Sequence, residues 1–116
     1  MGLRTLAAAA FTAAAVFSGA LAACGDAMAQ DVAAGRRKAI ACQACNGLDG
    51  ISKLPDAPNL AAQPASYLER ELRAYRAGTR RNEVMAVAAK SLSDADIKDL
   101  GAYYSAIQIE VKAVPQ

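Results

Sequence analysis

Histidine is missing from all 116 residues, and with it go the commonest general base and the commonest metal ligand at neutral pH. Most hydrolase and zinc-site chemistry is thereby set aside. An excess of one charge is also missing: thirteen Lys and Arg stand against eleven Asp and Glu, a net +2. Nucleic-acid sheaths and polybasic membrane patches depend on a strong single-sign field, so neither is expected. The carboxylates show no paired arrangement suited to acid–base work. What chemistry there is must come from cysteine, methionine or a bound cofactor. With 54% apolar and 21% charged residues, the chain suits one small domain.

Residues 1–29 read as an export signal and residues 30–116 as the folded domain. Arg4 precedes an alanine-rich apolar stretch from Leu6 to Phe17, and small residues follow, the three-part layout of a secretory signal. The stretch is too short to span a bilayer. Ala27-Met28-Ala29 places small residues at the two positions that a signal peptidase reads. Leu21-Ala22-Ala23-Cys24 competes with it as a lipoprotein box, in which Cys24 would carry a lipid anchor. Either route leads to the periplasm, where nearby thiols oxidise unless something captures them.

The 87 residues after position 29 contain neither phenylalanine and only 17 Leu, Ile and Val. So few large aliphatics bury too little apolar area to hold a domain of this size together unaided. Two staples are available. A disulfide between Cys42 and Cys45 closes a loop too small to restrain much chain entropy. A large apolar cofactor that becomes the core itself contributes more.

The pattern is all-α, with no strand periodicity. Asp31 can cap a first helix running to about Ala44, with Val32, Gly35, Ala39, Ile40 and Ala41 as a small, closely approachable face and Arg36, Arg37 and Lys38 on the wet side. Asn46 to Gln63, rich in Gly, Pro, Asp and Asn, reads as an extended wrapping loop. Pro64 opens a second helix with Leu68, Leu72 and Tyr75 on one face, Glu69 four residues before Arg73, and Gly78 as the stop. A shorter piece covers Glu83 to Lys90. Ser93 and Asp96 form a capping box for a last helix with Ile97, Leu100, Tyr104 and Ile107 as its buried stripe. Gln108 to Gln116 is a loose end.

Chemistry concentrates in Cys42-Gln43-Ala44-Cys45 and Met85. Two cysteines three apart can form a redox disulfide, half a zinc site or the thioether anchors of a haem. A thioredoxin-like site needs alternating strands and helices, and a zinc site needs further Cys or His; residues 30–116 supply neither. Haem accounts for the thin core, the export signal, the long loop and a methionine forty residues later, a soft thioether suited to haem iron.

In order and spacing these residues resemble the small monohaem class I c-type cytochromes of bacteria. The resemblance runs from Ala33-Ala34-Gly35 through Cys42-Gln43-Ala44-Cys45, Gly47-Leu48-Asp49-Gly50, Pro58-Asn59-Leu60 and Gln63-Pro64 to Leu92-Ser93-Asp94-Ala95-Asp96 and Ala102-Tyr103-Tyr104. It implies about four helices and a long loop around one haem c, with the first and last helices crossing where Gly35 meets Tyr103 or Tyr104. It implies that Cys42 and Cys45 hold the haem, that Met85 is the distal iron ligand, and that the Pro58 carbonyl orients the proximal ligand. The departure is Asn46, which stands where the family has histidine. An amide nitrogen is not basic, and an amide oxygen is a hard, neutral donor that favours ferric iron. Three outcomes stay open: haem held on one side only, by Met85 or water; ligation by another side chain such as a lysine; or no attachment and two thiols that oxidise.

Other roles exist for the same residues. Met85 could fill a core. The four tyrosines are expected to pack, with one or two at most lining the cofactor. Arg70, Arg73, Arg76, Arg80 and Arg81, set against Glu69 and Glu71, read as a solvated helix face, or as a docking patch for an acidic redox partner. The leading expectation is an exported, monomeric carrier of single electrons with altered proximal ligation, not an enzyme. The alternatives are a haem module that binds or senses a small molecule such as nitric oxide or carbon monoxide, and a haem-free thiol protein.

Overall fold

The computed structural model describes residues 30–116, together with Gly2; the expected export signal and Cys24 otherwise lie outside the described residues. Among the described residues there are helices and loops and no strand, and no helix is long and apolar enough to cross a membrane. Helix α1 spans Val32–Ala39 and continues through a 3-10 turn, Ile40–Cys42, into the single turn α2, Gln43–Asn46. Helices α3 (Ala65–Ala77), α4 (Glu83–Lys90) and α5 (Asp94–Ala106) follow a loop that has no regular structure. The four longer helices and the loop are those the sequence predicts.

Local chemistry sets most of the boundaries. The Asp31 carboxylate accepts from the amides of Ala33 and Ala34 at 2.8 and 3.0 Å, and three basic residues lie in the last turn of α1, where they face the negative end of the helix dipole. Gly78 ends α3 with φ +77°, a left-handed conformation that suits a residue without a Cβ. Ser93 and Asp96 complete the predicted capping box of α5 in both directions, each bond 3.0 Å. The first helix differs from expectation in two ways. It tightens into a 3-10 turn at Ile40, and its buried face narrows to Gly35 and Ala39, leaving Val32 and Ile40 about half exposed.

Helix α1 crosses α5, which packs on α3, and α3 packs on α4. The first crossing is very close: a Cβ at Gly35 would run into the Asp99 carbonyl and stand 2.7 Å from the Tyr103 Cβ. The Asp31 amide also donates to the Asp99 carboxylate at 2.9 Å, fixing the start of α1 against α5. Ile97 and Leu100 are the largest fully buried side chains, and Leu100 forms the core cluster with Ala39, Leu68 and Tyr104. Burial of a large aliphatic side chain stabilises by only about 1.5–3 kcal/mol, so this core is thin, as the composition implies.

The arginines expected on a solvated face are largely engaged. Arg76 donates to the Leu92 carbonyl at 2.9 Å and to Asp94 at 2.6 Å, tying α3 to the start of α5. Arg80 reaches Glu71 at 2.6 Å and lies 4.6 Å from the centre of the Tyr75 ring. The predicted Glu69–Arg73 pair is present at 3.1 Å.

Candidate functional site

The loop from Gly47 to Pro64 is held to the helices at defined points. Gly47 and Gly50 turn with φ +73° and +70°, where a Cβ would strike neighbouring backbone. The Gly50 carbonyl accepts from the amides of Leu60 and Ala61 at 2.8 and 3.0 Å, closing the loop on itself. The Tyr103 hydroxyl donates to the Leu48 carbonyl at 2.7 Å and the Tyr104 hydroxyl to the Gly47 carbonyl at 3.3 Å. These last bonds join α5 to the start of the loop.

Between the loop and the helices lies a cavity of about 1050 Å³. Cys42, Cys45, Asn46, Pro58 and Met85, the site residues read from the sequence, all line it. Cys42 closes the 3-10 turn and Cys45 lies in α2, both half-buried free thiols. Burial pushes the Cys42 thiol up, and the neighbouring Cys45 adds to the rise. Met85 arrives from α4, whose start is set by the Asn82 carboxamide oxygen accepting from the Met85 amide at 2.9 Å. On that short helix Met85 is half-buried, while Val84 and Val87 are exposed.

Asn46 is buried, and its Nδ2 donates to the Pro58 carbonyl at 3.1 Å. Among the described residues no group of His, Cys, Asp and Glu is arranged to hold a metal ion directly.

The remaining walls suit a flat apolar group. Leu60, Leu72 and Leu92 pack against the core cluster only in part and turn their remaining surface to the cavity, together with Leu68 and Leu100. Side chains that a compact small domain would normally bury are thus left facing open space. Tyr67, Tyr75 and Tyr104 line it as well, one more tyrosine than the sequence suggests. Their spacing on α3 and α5 could have shown a shared face, but not that this face borders a void. Burial pushes the Tyr104 hydroxyl well above its ordinary range. Two thiols at one wall, a thioether at another and leucines between them match the donor set and the shape of a covalently held haem.

No protein-family model matches the chain. Individual proteins do. Cytochrome c-554(548) of Halomonas halodenitrificans is 48% identical over 80 residues, covering 66% of this chain and 96% of that protein. The thiosulfate dehydrogenase electron acceptor of Thiomonas intermedia is 40% identical over 85 residues, covering 72% of this chain and 39% of that one. The crystal structure of reduced recombinant cytochrome c4 from Pseudomonas stutzeri superposes with a TM-score of 0.65 at 36% identity, over 69% of this chain and 47% of that one. The chain therefore spans less than half of each of the latter two and nearly all of the first. With the cavity, the paired thiols and 48% identity over nearly the whole length of a small cytochrome, this chain belongs to the small class I c-type cytochromes, electron carriers built around a covalently attached haem.

Proposed function

We propose that residues 30–116 form an exported, periplasmic, monomeric cytochrome in which Cys42 and Cys45 anchor one haem c, Met85 stands as its distal ligand, and single electrons pass to and from redox partner proteins. Bound there, haem supplies an iron that cycles between two oxidation states. The observation that carries the reading is the convergence of Cys42, Cys45 and Met85 on one leucine-lined cavity.

The chain's own residues set the conditions for that exchange. The leucine walls exclude water and keep the dielectric low, so a change of charge inside is felt strongly and the potential is set by the protein. The loop, tied down by the hydroxyls of Tyr103 and Tyr104, limits reorganisation of that environment. Arg80 and Arg81, which line the cavity, supply positive charge, and Arg80 is paired with Glu71 at 2.6 Å. Partner docking is supported by the name of the Thiomonas relative, an electron acceptor, and by the exposed Val84 and Val87 beside Met85.

The test is direct. Purified from a host able to attach haem, the protein should be red and keep its haem through acid-organic extraction. Replacing Cys42 or Cys45 by Ala should weaken the covalent link, and replacing both should remove it. Met85→Ala should abolish the thioether-to-iron absorption of the ferric protein. A colourless product in which Cys42 and Cys45 pair as a disulfide would overturn the reading.

A further inference from the structure

Three observations bear on the Asn46 wall of the cavity. Pro58 presents a carbonyl, which only accepts, so the Asn46 atom facing it at 3.1 Å is the Nδ2 donor and the orientation of the carboxamide is fixed. Oδ1 has no donor among the described residues, yet no buried side-chain oxygen is left sealed without a partner. It therefore opens into the cavity that Asn46 lines. The nearby lysines are engaged elsewhere: Lys38, which also lines the cavity, holds Asp96 at 2.8 Å, and Lys53 holds Asp49 at 2.9 Å.

Asparagine reproduces only the inner half of an imidazole ring. Its Cγ and two branches are present, and one branch keeps a hydrogen bond to Pro58. The outer two ring atoms, among them the nitrogen that would face iron, are missing. What remains on this wall is space for one or two heavy atoms, faced by a hydrogen-bond acceptor. We propose that this space binds a small neutral ligand bearing its own N–H or O–H, of the ammonia or water class, which donates to Asn46 Oδ1 and turns its lone pair to the haem iron. A ligand without hydrogen, such as bound cyanide, gains no bond from Oδ1. The proposal rests on covalent haem at Cys42 and Cys45.

The ferric haem-loaded protein is titrated separately with ammonia and with cyanide, followed by absorption and electron paramagnetic resonance. Mass spectrometry of the denatured protein first establishes the covalent haem. Its absence overturns the haem reading and this proposal together. Asn46→Leu keeps the shape of the side chain and removes the acceptor; it should lower the ratio of ammonia to cyanide affinity about tenfold, the worth of one hydrogen bond, whichever of the two binds in exchange for water. Because the two ligands are compared within each variant, general loosening of the site does not imitate this result. Asn46→His fills the space and should abolish ammonia binding. Equal losses for both ligands in Asn46→Leu, or ammonia binding that survives Asn46→His, overturn the proposal with the haem reading intact. Should Asn46→Leu not fold, the histidine variant still decides, since ammonia that binds it sits elsewhere.

Discussion

The carboxamide of Asn46 donates to the carbonyl of Pro58, twelve residues along the chain, over 3.1 Å. This one bond joins the end of α2 to the far side of the loop. It also leaves the asparagine a structural member of the cavity wall, able to hold the loop in place although it lacks the basic nitrogen found at this position in the family.

Removing that bond should loosen the loop. Asn46→Ala leaves the Pro58 carbonyl without its donor, and an unsatisfied group of this kind costs about 1–3 kcal/mol. Guanidinium unfolding of the haem-loaded protein should show the midpoint falling accordingly. An unchanged midpoint would mean that the loop is held without Asn46.

Gly35→Ala should destabilise more broadly. Its Cβ meets the Asp99 carbonyl and the Tyr103 Cβ across the α1–α5 crossing, and backbone cannot give way as a flexible side chain can. Forced overpacking costs about 1–3 kcal/mol. Thermal unfolding should fall clearly, whereas alanine at Gly101, whose Cβ would stand 3.1 Å from the Glu69 Cγ and 3.2 Å from the Ala65 carbonyl oxygen, well short of the overlap at Gly35, should be tolerated better.

Without haem the fold should lose its cooperativity. Among the described residues the largest fully buried side chains are Ile97 and Leu100, and Leu60, Leu72 and Leu92 face the cavity. The Cys42→Ala, Cys45→Ala double variant, purified free of haem, should unfold without a sharp transition and show weak near-ultraviolet circular dichroism. A sharp calorimetric peak would show that the helices suffice.

Acid should weaken the start of α5. The Lys38 ammonium at 2.8 Å and the Ser93 amide at 3.0 Å hold the Asp96 carboxyl below the usual carboxylate range. A lowered folded value means stability that is fully present above the unfolded pKa, about 3.9, and lost as pH falls through the folded one. Melting temperature should therefore decline from about pH 5 downward. Asp96→Asn should start from a lower value and decline less steeply.

Much of this molecule was legible along the chain. Asp31, Gly78, Ser93 and Asp96 act within a turn or so of their own position, so the helix boundaries they set follow from local hydrogen bonding and backbone freedom. The paired cysteines, the loop composition and the scarcity of large aliphatics pointed to a cofactor-filled core for the same reason: each is a property of a short segment or of composition. The exposure of Val32 and Ile40 was not legible, because helical periodicity names a face without saying how wide the neighbour covering it is.

Tertiary structure decided what depends on distance through space. It brought Met85 to the cavity of Cys42 and Cys45, set Arg76 on Leu92 and Asp94 rather than in solvent, and placed the hydroxyls of Tyr103 and Tyr104 on carbonyls 55 and 57 residues away. It also gave Asn46 its partner. From sequence, Asn46 is only a missing histidine. Folding places a carbonyl within reach of its amide, and an acceptor there turns the substitution into a tether with one oxygen left facing the cavity.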